Sequence, residues 1–447
     1  MRTPLLTPDS LSKLRGLLPY LVDERVGIIR KLENVVINEG DPDFFHFASF
    51  ASDTSAFVRE SNFKDAGGAS TDREIAMAKA VGEAVERYCG AIFDFEELPL
   101  TSYNDATFPC VSPDDFNLFS PEQFDKPGFV WAPFDKDTTV RWTPATNLMT
   151  GEEAYVPAAT VYIPYMYYQG TGDTPIMQPI STGLACHSTF ADAATGAICE
   201  VVERDSFMIM WQARLAMPQI RVETLSDANF DKVLRFEKNG NKVVLFNITM
   251  EHGIPCILSV LKGNSGNSPA LVFAASADLD PEKAVAKALE ELAHTRRYSH
   301  KLKTKMKPII PDEPEHSNVE SQVHHLLFYT DYGNAKLADY IFESKKRVDF
   351  SDITNYSTGN AVSDLEVLKE RIAITGEQIY LSDITTNDIG ALGLHVLRAV
   401  IPGFQPLRMG FINRSLGGNR LWTVPQNMGY KGVNKAEGDN PLPHPYP

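Results

Sequence analysis

The sequence predicts an α+β fold with internal pseudo-repeats, in which mixed and antiparallel sheets carry acidic helices around one shared site. Two observations lead there. An unusual pattern, Ala-x-x-Glu-x-Val-Glu-Arg, is written twice, over residues 80–87 and again over residues 197–204. Apolar, β-branched runs at 219–223, 242–248, 255–261 and 270–276 then close on a third alanine-rich acidic helix, residues 284–296.

In the second copy of the pattern, Glu200, Glu203 and Arg204 stand at i, i+3 and i+4, so on a helix they share a face. Two carboxylates and a guanidinium among Ala193, Ala194, Ala197, Ile198, Val201 and Val202 are costly to pack against a core unless something cationic meets them. Taken alone, the run reads more simply as a solvated face with an i,i+4 ion pair. The first copy, with Glu83, Glu86 and Arg87, weighs against that, and the third helix adds Glu290, Glu291 and Arg296 at another spacing. Three such helices would meet as a pocket of like charge that divalent cations neutralise. Hard oxygen donors suit Mg2+, which keeps waters and bridges to substrate phosphates, and the arginines would face phosphate oxygens.

The motifs Gly82-Glu83-x-x-Glu86-Arg87-Tyr88, Ser181-x-Gly-x-Ala with Glu200-x-x-Glu203-Arg204-Asp205, Glu291-x-x-His294-x-Arg296, Pro402-Gly403-Phe404-x-Pro406 and a proline-rich end at 440–447 follow one another over roughly residues 60 to 447. In that order the chain resembles YcaO-family ATP-dependent enzymes. More narrowly, it resembles the cyclodehydratase (D-type) subunit of thiazole/oxazole-modified microcin biosynthesis. The resemblance implies the YcaO fold and an ATP and Mg2+ site, with Glu83, Glu86, Glu200, Glu203, Glu290 and Glu291 at the metal and Lys79, Arg87, Ser181, Arg204, His294 and Arg296 at the nucleotide. Many family members carry Gln in place of His294 and Ser in place of Lys79. Both residues present here still hydrogen-bond a nucleotide or phosphate.

The activity implied is ATP-dependent cyclodehydration of Cys, Ser or Thr in a ribosomal precursor peptide, through phosphorylation of the amide oxygen, to thiazoline or oxazoline. Thioamide formation by the same activation, and a non-catalytic nucleotide-binding scaffold, are the alternatives. Implied partners are the precursor peptide, an E1-like (ThiF-like) protein that binds its leader and a flavin-dependent azoline dehydrogenase, with the chain a homodimer inside a larger complex. Prolines at 441, 443, 445 and 447 fix φ and stiffen the end, so the carboxylate of Pro447 could be held as a catalytic base.

Length and composition agree with such a protein. The 447 residues suit one large domain, expected over 56–447, behind an N-terminal extension at 1–55 that contacts the main body or a partner. With 43% hydrophobic and 22% charged residues the composition is that of a soluble globular protein, and the net charge of −16 speaks against nucleic acid or anionic membrane as main partner. No signal-peptide core and no run of eighteen apolar residues is present, so a cytoplasmic location is expected. Five scattered cysteines without a C-x-x-C pair read as buried thiols.

In chain order, apolar spacing predicts a helix over residues 9–32, bent at Pro19, then strands at 35–37 and 45–50. Residues 66–70 read as a small-residue turn before the first acidic helix, capped by Thr71 or Asp72. Strands at 140–142 and 154–163 flank a turn, and residues 178–184 read as a strand whose end, at Ser181, feeds the second acidic helix. The basic, then Pro- and Glu-rich run at 300–322 reads as a mobile loop. His324 and His325, as strand neighbours, would face opposite ways and could not chelate one metal. A helix at 364–375 and strands at 379–384 and 394–401 complete the chain.

Overall fold

The computed structural model describes residues 8–37, 40–238, 240–264 and 266–446. Three sheets and three long helices position the site. Strands Ile29–Val35, Phe45–Ala51 and Asp65–Ser70 form an antiparallel sheet, and helix Arg73–Gly90 follows directly, capped by the Asp72 carboxylate on the N–H groups of Glu74 and Ile75. Residues 66–70, expected as a turn, are therefore a strand. Their small side chains let it lie tight on the helix: a Cβ on Gly68 would stand 2.5 Å from both Ala76 O and Lys79 Cβ.

The N-terminal helix is shorter than its spacing suggests. It spans Pro8–Leu21, carries Pro19 in its last turn, and gives way to the strand Ile29–Val35, whose β-branched and long side chains find a pairing partner in Phe45–Ala51. The expected domain boundary at residue 55 thus falls between strands of one sheet.

The meander expected from residues 219–276 is present. Leu271–Ala277, Cys256–Lys262, Lys242–Asn247 and Gln219–Ile220 pair antiparallel in that order, and Arg347–Val348 adds a parallel edge. Helix Pro281–Lys305 packs across this sheet through Ala284, Ala288, Leu289 and Leu292, all fully buried. A third sheet runs Leu100–Thr101, Val140–Asn147, Tyr380–Asp383, His395–Val400, Leu184–His187, with Glu153–Pro157 paired outside Val140–Asn147. Ser181 lies in the loop before Leu184–His187; the chain straightens only after Gly183, whose φ of +86° is a glycine conformation.

Between the second and third sheets lies helix Phe190–Gln212, apolar on almost every side in its second half (Phe207, Met208, Ile209, Met210, Trp211) and so buried all round. Around it gathers the largest core cluster, which takes in Leu442 and Tyr446 from the far end of the chain. His324 and His325 lie on a short helix, Gln322–Phe328, instead of a strand; His325 turns inward and His324 accepts the N–H of Glu320 through Nδ1. Of the run expected as a loop, residues up to Lys305 continue the third acidic helix, because Leu302 still finds apolar neighbours.

Candidate active site

The three acidic helices border one cavity of about 860 Å3. Its walls are built by repetition. Glu83 accepts the N–H of Gly67 (2.9 Å) on one oxygen and Arg87 Nη2 (3.2 Å) on the other. Glu200 accepts the N–H of Gly183 (3.0 Å) and Arg204 Nη2 (3.3 Å) in the same way. In both halves a glycine on the chain segment before the helix supplies a backbone donor, and the arginine one turn later supplies the charge.

The second acid of each pair is held differently. Glu86 accepts the N–H of Cys186 (2.8 Å), and burial, with Glu83 and Glu200 adding repulsion, pushes its pKa up to about 8. Glu203 accepts the hydroxyl of Tyr446 at 2.5 Å, and burial pushes it up to about 7 against the pull of Arg204. Arg204 lies over the Tyr446 ring at 4.4 Å. Its Nη1 is 3.3 Å from Glu203 but misaligned, so this buried donor is unspent.

The third helix divides its acids. Glu291 lines the cavity; although burial would raise its pKa, Lys79, His294 and Arg204 hold it below the usual range. Glu290 is buried beneath, bonded by Ser70 Oγ (2.9 Å) and paired with Lys79 Nζ (2.9 Å). Lys79 bridges both, 3.3 Å from Glu291, and its charge is secured because the two acids outweigh its burial. His294 lines the cavity against the first sheet, where a Cβ on Gly67 would meet its Nε2 at 2.8 Å.

Of the residues singled out in sequence, Lys79, Glu83, Glu86, Arg87, Ser181, Glu200, Glu203, Arg204, Glu291 and His294 border this cavity. Two do not. Glu290 is committed to Lys79 and Ser70, and Arg296 turns away to Asp41 and to Gly40 O (3.1 Å). Pro447 lies outside the described residues, next to Tyr446, which borders the cavity. The chain before it is anchored by its neighbours. Trp211 Nε1 bonds Leu442 O (3.2 Å), Tyr329 OH bonds Pro443 O (2.6 Å), and His444 stacks on His325 at 3.8 Å. Sequence reasoning missed the Tyr446 hydroxyl, the two glycine N–H donors, and the pair Lys287–Asp278 (2.7 Å) in the cavity wall. The near-equal offsets Gly67 to Glu83 and Gly183 to Glu200 were the available signal for the donors.

These residues fit a hydrated divalent cation and a phosphorylated ligand. Among the described residues no three acids, histidines or cysteines stand close enough to hold a metal unaided. The carboxylates ring the space at a distance instead, two with pKa values raised by burial and by neighbouring acids, which suits an ion that keeps waters and phosphate oxygens. A family model described as YcaO cyclodehydratase, ATP- and Mg2+-binding, matches residues 67–405. The chain belongs to the YcaO family.

As a YcaO protein it has ATP and Mg2+ as cofactors. An uncharacterised protein of Methanothermobacter thermautotrophicus is 27% identical over 346 residues, covering 76% of this chain and 81% of that relative. The fold matches a heterocyclase solved in complex with substrate and cofactor (TM-score 0.78, 21% identity), covering 97% of this chain and 57% of the heterocyclase, so the chain spans little more than half of that protein. It also matches YcaO from Methanopyrus kandleri bound with AMPPCP and Mg2+ (TM-score 0.65, 20% identity), covering 92% and 94% of the two chains. Among the described residues no helix is long and apolar enough to cross a membrane.

Proposed function

We propose that this YcaO protein is an ATP-dependent peptide cyclodehydratase, closing Cys, Ser or Thr onto the preceding amide of a ribosomal precursor peptide to give thiazoline or oxazoline. The observation that carries the reading is the doubled arrangement of Glu83 with Arg87 and Glu200 with Arg204 across one cavity, closed by Tyr446. Bound Mg2+ and ATP supply a phosphoryl group that turns the amide oxygen, a poor leaving group, into phosphate, a good one.

The chain's own part is positioning and charge. Glu83, Glu86, Glu200, Glu203 and Glu291 are the metal-facing acids, while Lys79, Arg87, Arg204, Ser181 and His294 face nucleotide and phosphate. Glu290 acts beneath them by fixing Lys79. The unspent Arg204 Nη1 is available to developing phosphate charge. Tyr446 donates to Glu203 in the cavity wall, and the role given to the residue that follows it in sequence, Pro447, is to supply a carboxylate that takes the proton of the attacking thiol or hydroxyl.

The test is phosphate release and peptide mass with and without a candidate precursor. Peptide-dependent phosphate release with loss of one water per ring is expected; exchange of oxygen for sulfur would point to thioamide formation, and nucleotide binding without either product to a scaffold. Glu203→Gln is expected to lower both rates by several orders of magnitude while the circular dichroism spectrum is kept. Unchanged rates would remove that residue from the site.

A further inference from the structure

Behind the cavity lie two buried guanidiniums without an acid of their own. Arg398, in strand His395–Val400, is 3% exposed. Its Nε donates to Thr160 O (2.9 Å) and Nη2 to Ile180 O (2.7 Å), while Nη1 has no partner. Arg408, also 3% exposed, donates Nη1 to Gln178 O (2.7 Å) and only weakly to Ser415 Oγ (3.4 Å) and Met177 Sδ (3.9 Å). Among the described residues neither forms an ion pair with a carboxylate. Burial pulls both pKa values down to about 10; at Arg398 the distant Glu200 opposes this, while Arg87 and Arg408 reinforce it. Carbonyl dipoles orient a guanidinium but leave its charge uncancelled, and an uncancelled buried charge is unfavourable.

Both arginines front a crevice of about 80 Å3, whose wall also includes Thr160, Ile180, Thr182 and Arg204 and holds no carboxylate. Ile180, Thr182 and Arg204 border the main cavity as well, so the crevice is an annex on the other side of these residues. At about 80 Å3 against about 860 Å3 for the main cavity, this space suits a small ion. Three guanidiniums with a threonine hydroxyl in one wall match the oxygens of a tetrahedral oxyanion.

We propose that the annex binds inorganic phosphate, taking it from the reacting cavity after it leaves the peptide. The inference rests on the function proposed above and adds a product site to it. Free phosphate and the terminal phosphoryl of a nucleotide share the same chemistry, so the test must separate them. Inorganic phosphate is titrated calorimetrically into the full chain saturated with Mg2+ and a non-hydrolysable ATP analogue, and into the chain without nucleotide. Saturable binding in both arms is expected. In Arg398→Gln phosphate affinity should fall by about tenfold or more, with analogue affinity changed less than about twofold. Should that variant fail to fold, Arg398→Lys, which keeps the charge and loses the free Nη1 donor, makes the same comparison. No phosphate binding, binding abolished by the analogue, or unchanged affinity in the folded variant would overturn the annex. Because phosphate is supplied from outside, turnover without phosphate binding sinks the annex alone, and phosphate binding without peptide-dependent turnover sinks the proposed reaction alone.

Discussion

Glu86 is a carboxyl group that its surroundings keep protonated. Unfolded, it loses its proton near pH 4.5; folded, burial and the neighbouring Glu83 and Glu200 hold it to about pH 8. Between those values the folded chain binds the extra proton, so the stability of the metal-free protein should fall as pH rises through that window and level off above it. At about 1.4 kcal/mol per unit, the effect is on the order of a few kcal/mol. Melting curves across the window should show the decline in the wild type, a shallower one in Glu86→Gln, where Glu203, raised to about 7, still contributes below that pH, and its flattening by Mg2+ and ATP. A flat wild-type profile would show that Glu86 ionises freely. At this scale much of the candidate site was legible, because two carboxylates at i and i+3 with arginine at i+4 mark a face, and the doubling marks it as more than an ion pair. What stayed hidden has no letter of its own: the N–H groups of Gly67 and Gly183 are backbone, and Glu290 and Glu291 differ only by the ~100° step between helical neighbours, which sends one beneath the cavity and one into it.

Elements were legible where the period was clean. The antiparallel meander and the three acidic helices stand where the β-branched apolar runs and the repeated acidic pattern put them. Residues 66–70 read as a turn because glycines in isolation prefer turns, and only the helix packed on the strand Asp65–Ser70 makes so side-chain-poor a strand favourable. The proline-rich end was expected to be stiff through its prolines. In the fold it is held by burial and by hydrogen bonds to Trp211, Tyr329 and Glu203, which no local pattern encodes. Tyr446→Phe should therefore cost about 1–3 kcal/mol in urea denaturation, because the Ala275 N–H and Glu203 lose a buried partner together, and it should slow turnover. Residues appended after Pro447 test the carboxylate proposed there, and thermal melting of the extended chain checks that Tyr446 still holds its contacts. If an extended chain turns over at the unextended rate while Tyr446→Phe is impaired, the tyrosine is the working part of that segment and Pro447 is not.

At the scale of the whole molecule, one cavity is bordered by residues from Ser10 to Tyr446, with Lys13 pinning the N-terminal helix to Ser188 O (3.2 Å) and Gly393 O (2.6 Å). The proposed reaction must choose one peptide among many, and processing is expected to depend on a partner that binds the leader. Full leader-dependent processing by the purified chain alone would refute this.

Because the acids proposed to face the metal come from helices remote in sequence and repel one another across the space, a ligand that satisfies them fastens three stretches of chain at once. Such a ligand acts on the folding equilibrium by mass action: at a hundred times its Kd it adds about 2.7 kcal/mol to the native state and nothing to the unfolded one. Thermal midpoints should climb with the logarithm of Mg2+ and ATP added together, and far less with either alone. In a cell, the protein's resistance to unfolding and proteolysis would then follow the supply of nucleotide.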